Sequence, residues 1–149
     1  MCLNGLDVKG DNIPPNHHVA RYCYGKGIDD GQIIGAAFLP RPTHAYLSVN
    51  WLEYLECPDR PSEINEVRKR YATRFNLNKK DKIALLNVGA TCLKVAEKSE
   101  DHRCLNATHE PEPTDDSHSG LWGFCYDDMV IAELILSTVL DVVPAKATP

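Results

Sequence analysis

The segment from Asp59 to Phe75 constrains the fold of this chain most. Asp59, Pro61 and Glu63 form a helix start: a capping side chain, a proline where no backbone donor is needed, and an acid near the positive end of the helix. Ile64, Val67, Tyr71, Ala72 and Phe75 then recur at helical spacing, which predicts one amphipathic helix ending near Asn76 to Asn78. Arg68, Lys69, Arg70 and Arg74 fall largely on its other faces. Strand-like runs precede and follow this helix. A length of 149 residues suits one domain and is short for two. The chain therefore reads as a single compact α+β domain, with a mixed or antiparallel sheet, this mid-chain helix and a second helix near the C-terminus.

The stretch Gly35 to Leu55, GAAFLPRPTHAYLSVNWLEYL, holds the densest mix of apolar, aromatic and polar side chains. It reads as a short buried strand (Ala36 to Leu39), a turn at Pro40, Arg41 and Pro42, a second strand (Ala45 to Val49), and a helical or tight turn carrying Asn50, Trp51 and Glu53. Trp51 and Tyr71 are expected in the core. Upstream, NHHVARYC alternates as a strand would, with His18 and Tyr22 on one face and Arg21 on the other; a helical reading would group all three. Lys82 to Val88 reads as a buried strand, and 90–98 as either a short helix or a strand. Arg103 to His109 alternates like a strand, and Glu110 to Gly120 has a loop composition. A helix is expected from Asp127 or Asp128 through Leu140, with residues 141–149 as a tail and 1–15 as a loop-like arm.

Net charge is −5, which disfavours a general nucleic-acid binder. Charge is split, however. Arg68 to Lys82 carries seven basic residues against Asp81, whereas Cys104 to Ala145 has no Lys or Arg. A basic patch on a dipolar surface could dock an anionic partner. No apolar run approaches the ~20 residues that span a bilayer. The N-terminus lacks a secretory pattern, so the default expectation is cytoplasmic. The six cysteines are scattered with no CxxC spacing, the pattern of small buried hydrophobes.

Three polar clusters carry candidate chemistry: His17, His18, Arg21, Tyr22 and Cys23; Ser48, Asn50 and Glu53; and His118, Ser119 and Gly120. Histidine exchanges protons near neutral pH, and arginine forks onto phosphate or carboxylate. If His18, Arg21, Ser48 and His118 converge, the natural ligand is a nucleotide or nucleic-acid phosphate. Arg21 would clamp the anion, His18 or His118 would move the proton, and Ser48, Asn50, Glu53 and Ser119 would position the ligand. Locally bonded turn histidines are the bland alternative. His102, Cys104, His109, His118 and Cys125 give five potential zinc ligands, but their spacing matches zinc modules poorly. Cys23 and Cys125 lie near an arginine and a helix start; a buried structural role suits both better than nucleophilic catalysis.

The order HHVARYC, YLSVN, DDSHSGLWG resembles the layout of ADP-ribosyltransferase-like domains. The resemblance implies a site for nicotinamide dinucleotide (NAD), with Arg21 or His18 at the first position and Ser48 at the second. The family's third position is a glutamate; no late glutamate stands in such a motif here, so His118 would have to substitute. Taken whole, the chain also looks like an uncharacterised bacterial protein, which adds no activity. Two function classes follow. One is a site-bearing domain that binds or processes a nucleotide or nucleic-acid phosphate. The other is a non-catalytic adaptor that docks a partner through Arg70, Arg74 and their basic neighbours, or through an apolar surface around Trp122.

Overall fold

The computed structural model describes residues 10–147. In chain order the elements are β1 (His18–Cys23), β2 (Ile28–Asp29), β3 (Gln32–Ile33), β4 (Tyr46–Trp51), α1 (Arg60–Arg74), β5 (Lys82–Asn87), α2 (Val88–Lys98), β6 (Asn106–His109), β7 (His118–Trp122), α3 (Met129–Leu136) and β8 (Asp141–Pro144). They form an α+β domain. Six strands make one antiparallel sheet in the order β6-β7-β4-β1-β5-β8, and β2 and β3 form a separate hairpin.

Each face of the sheet has its own core. On one face Ala20, Tyr22, Ile83 and Leu85 pack under Ile64, Val67 and Tyr71 of α1. On the other, Val19, Leu47, Val49 and Leu86 pack with Val95 of α2, Ile131 and Ile135 of α3, and Phe38. The run Ile83-Ala84-Leu85-Leu86 in β5 is apolar throughout because both of its faces are covered. Asp59 caps α1 by accepting a hydrogen bond from the Ser62 N–H, as the sequence implies. Asn87 does the same for α2 through the Ala90 N–H, which resolves 90–98 as helix.

One irregularity in the sheet shapes the candidate site. β1 pairs with β5 over six residues, but with β4 only at Val19↔Trp51 and Ala20↔Asn50. Beyond Ala20 the two strands part. The Arg21 side chain fills the gap, with Nε donating to Ala37 O (2.8 Å) and Nη1 to Ser48 O (2.9 Å).

Several expectations are corrected. Gly35–Phe38 is a 3-10 turn, not a strand. Its small residues lie close against α3, where a Cβ on Gly35 would run into the Glu133 carboxylate. Asn50 and Trp51 belong to β4, because Asn50 pairs with His118 and the Trp51 N–H reaches Ser117 O. His118 to Gly120 is strand rather than loop; its buried polar groups are satisfied internally, with Ser119 Oγ bonded to Ser117 O. The last helix stops at Leu136, where the Ser137 and Thr138 hydroxyls bond back to Leu134 O and Ile135 O. The expected tail then returns to the sheet as edge strand β8. The N-terminal arm is anchored where described: Ile13 is buried and donates to Ala107 O, while residues 1–9 lie outside the described residues. Tyr71 is core as expected. Trp51 is only half-buried, with Nε1 donating to His17 Nδ1 at 3.0 Å. No helix among the described residues is long and apolar enough to cross a membrane.

Candidate functional site

Where β1 and β4 part, a cavity of about 100 Å³ opens on the α1 face. Arg21, Tyr22, Ser48, Asn50, His118 and Arg74 line it, so six of the residues singled out in the sequence meet there. Register explains the meeting. Ser48 faces Gly120 across the strands and Asn50 faces His118, so all four share one face of the sheet. α1 brings Tyr71 and Arg74 over that face. The loop after the 3-10 turn contributes Arg41 and His44.

The Arg21 guanidinium has five N–H donors. Two are held by the carbonyls of Ala37 and Ser48. Among the described residues no carboxylate lies within ion-pair distance of it. Burial pulls its pKa below the ordinary value, and the Arg41 cation acts in the same direction. Burial likewise lowers the pKa of His44, helped by Arg41, His118 and Arg21 and opposed by Glu112.

Arg74 is held differently. Its Nη1 donates to Asp115 Oδ2 at 2.9 Å, and its Nη2 lies 3.1 Å from Glu112 Oε1. Asp115 is 1% exposed and also accepts from Asn50 Nδ2 (2.9 Å to each oxygen) and Ser117 Oγ (3.1 Å). Asn50 is thus a fixed wall of the cleft rather than a free hand in it. His118 is 2% exposed, and its Nδ1 lies 2.9 Å from Glu110 O. A carbonyl can only accept, so Nδ1 carries the hydrogen in the neutral ring and Nε2 is left as an acceptor. Nε2 sits 3.7 Å from Glu112 Oε1.

Three side chains in the cleft carry hydroxyls with no protein partner among the described residues: Ser48, Tyr46 and Tyr71. Tyr71 is 2% exposed, and burial raises the pKa of its phenol. Gly120 makes room for the Tyr46 ring. A Cβ there would lie 2.6 Å from two ring atoms. Gly120→Ala is expected to cost about 1–3 kcal/mol through overpacking, read as a lower urea midpoint; an unchanged midpoint would mean the ring is free to swing away.

The other candidates lie elsewhere. His18 is engaged by Glu53, with Nδ1 2.6 Å from Oε2 and the backbone N–H 2.7 Å from Oε1. Burial alone would raise the Glu53 pKa, but the two His18 hydrogen bonds bring it below the ordinary value. Ser119 points to the opposite face of the sheet. Arg70 pairs with Asp116 at 2.9 Å and with Glu66 at 3.2 Å, and Lys69 pairs with Glu66, so the central charges of the basic patch are matched by acids. Trp122 itself is 2% exposed and donates to Thr108 Oγ1, so its ring belongs to the interior.

The thiol of Cys23 is buried and its pKa is pushed up to about 11, the opposite of an activated nucleophile. Cys125 is disulfide-bonded. The five zinc-type ligands do not gather. Among the described residues the one close group is Cys125, Asp127 and Asp128, and Asp128 is already held by Arg103 and the Cys125 N–H.

Sequence reasoning missed Arg41, His44, Tyr46 and Tyr71 as cleft residues. The turn PRPTH was a signal for the first two, since charged groups in a short rigid turn are poised beside whatever the flanking strands enclose. Comparison of the chain with protein-family models, with curated proteins and with solved structures found no match.

Proposed function

We propose that the protein binds a phosphate-bearing ligand, a nucleotide or a nucleic-acid phosphate, in the cleft between β1, β4 and α1, and that His118 acts on that ligand as a proton acceptor. The observation that carries this reading is Arg21. A guanidinium held in low-dielectric surroundings costs free energy unless an anion accompanies it. Here the protein supplies two carbonyl dipoles and no carboxylate. The three remaining N–H groups suit an oxyanion, which a guanidinium grips through paired charge-assisted hydrogen bonds. Arg41 adds positive charge to the lining, and the free hydroxyls add donors.

Each residue then has a task. Arg21 clamps the anion. Arg74, fixed by Asp115 and Glu112, narrows the cleft. Ser48 donates to a ligand oxygen. His118 Nε2 accepts a proton from a ligand hydroxyl or a bound water, while Glu110 O holds the ring in the required tautomer. NAD belongs to the same ligand class.

A thermal-shift panel tests the reading, with phosphate, pyrophosphate, ATP, NAD and short RNA. A ligand at about 100 times its Kd adds about 2.7 kcal/mol, seen as a Tm rise of several degrees. The expected result is such a rise with at least one phosphate compound, lost in Arg21→Gln and reduced in Arg41→Ala. Arg41 is exposed, so its replacement leaves the fold intact. A flat panel, or equal shifts in both variants and the parent, would overturn the proposal.

A further inference from the structure

We infer that the cleft is a blind seat for a terminal phosphate, so that its ligand is the phosphomonoester of a hydroxyl-rich compound, a sugar or a nucleoside. The inference rests on the cleft being a phosphate site and says which phosphate it takes.

Size is the first argument. About 100 Å³ holds one oxyanion and little more, whereas cavities that enclose whole ligands run to roughly 300–1,000 Å³. The organic part of the ligand must lie outside.

The floor is the second argument. Among the described residues every fully buried side-chain nitrogen or oxygen has a hydrogen-bond partner. The Tyr71 hydroxyl has none, although the residue is 2% exposed. It is therefore not sealed in protein but opens into the cavity it lines. Arg21, with three uncommitted N–H groups, and Ser48 line the same cavity. A monoester presents three unesterified oxygens on one side, and these residues supply three kinds of donor to one small cavity. A phosphodiester has two ester oxygens and needs two ways out. The Arg21 side chain fills the gap in the sheet, and Tyr71 and Phe75 line the α1 side, so a second exit for a diester is not provided between the strands.

The mouth is the third. It continues into a second hollow of about 250 Å³ that shares Tyr46, Ser48 and His118 and adds Thr43 and Glu112. Glu112 is partly exposed and touches Arg74 through one oxygen, which leaves acceptor capacity for a ligand hydroxyl.

Titration calorimetry on the full chain at neutral pH decides the matter, with inorganic phosphate, glucose 6-phosphate, adenosine 5′-monophosphate, cyclic AMP and NAD as probes. The expected result is that phosphate and at least one monoester bind and compete with each other. Cyclic AMP and NAD should bind at least about tenfold more weakly. Tyr71→Phe and Ser48→Ala should each lower phosphate affinity about tenfold while keeping the parent's unfolding midpoint. The order of the two monoesters tells sugar from nucleoside, and either order supports the seat. Equal binding of cyclic AMP or NAD would overturn the blind seat and leave the phosphate cleft standing. Monoester binding unchanged in both variants would remove the proposed floor. No binding by any probe, phosphate included, would overturn the phosphate reading itself.

Discussion

Asp115→Ala is expected to lower the free energy of unfolding by about 3–5 kcal/mol, the range for removing one partner of a buried ion pair. Asp115 is 1% exposed, and its carboxylate accepts from Arg74, Asn50 and Ser117 at once. Alanine leaves the Arg74 cation without its inner partner and the Asn50 amide with only Ser117 Oγ. Both losses fall on the seam between α1 and the β6–β7 loop. The cleft should suffer with the fold, because Arg74 is aimed by this bond. Urea unfolding followed by circular dichroism gives the number. A loss below about 0.5 kcal/mol, the ordinary range for an unimportant surface change, would show that the network is peripheral.

Tyr71→Ala is expected to cost a similar amount, about 3–5 kcal/mol, and Tyr71→Phe less than about 1 kcal/mol. The ring lies 5.2 Å from Tyr22 and 5.9 Å from Phe75, centroid to centroid, and sits against Ile64 and Val67 in the α1-side core. Truncation therefore opens a cavity. The hydroxyl holds no protein group, so its removal alone leaves the folded state little changed. If Tyr71→Phe proved as damaging as Tyr71→Ala, the hydroxyl would have a structural partner, and its assignment to a ligand would fail. The contrast separates the two parts of one side chain: the ring stabilises the fold, and the oxygen faces the cleft.

That division explains why Tyr71 was legible as core and not as site. A helical stripe marks the ring, and nothing in a stripe tells where a phenol tip emerges. The gross architecture was readable because its signals are local. The Asp59 cap, the stripe of α1 and the apolar run of β5 need no distant partner to be recognised. Arg21, Ser48 and His118 stood out as polar groups within strand-like apolar stretches, and the sheet register brings them together. His18 was legible as a strand residue, but its capture by Glu53, thirty-five positions away, depends on how β1 pairs with β4. The pairing of the basic patch was hidden for the same reason. Its acidic counterparts, Glu112, Asp115 and Asp116, lie some forty residues along the chain and meet Arg70 and Arg74 only once the β6–β7 loop folds over α1. The parting of β1 from β4, which creates the cleft, leaves no mark in periodicity at all.

The most direct test of the cleft is a crystal structure of the protein soaked in phosphate. The account predicts a tetrahedral anion in the cavity, within hydrogen-bond distance of Arg21 and the Tyr71 hydroxyl. A cleft holding only water, with the Arg21 guanidinium paired to a carboxylate of the protein, would contradict it.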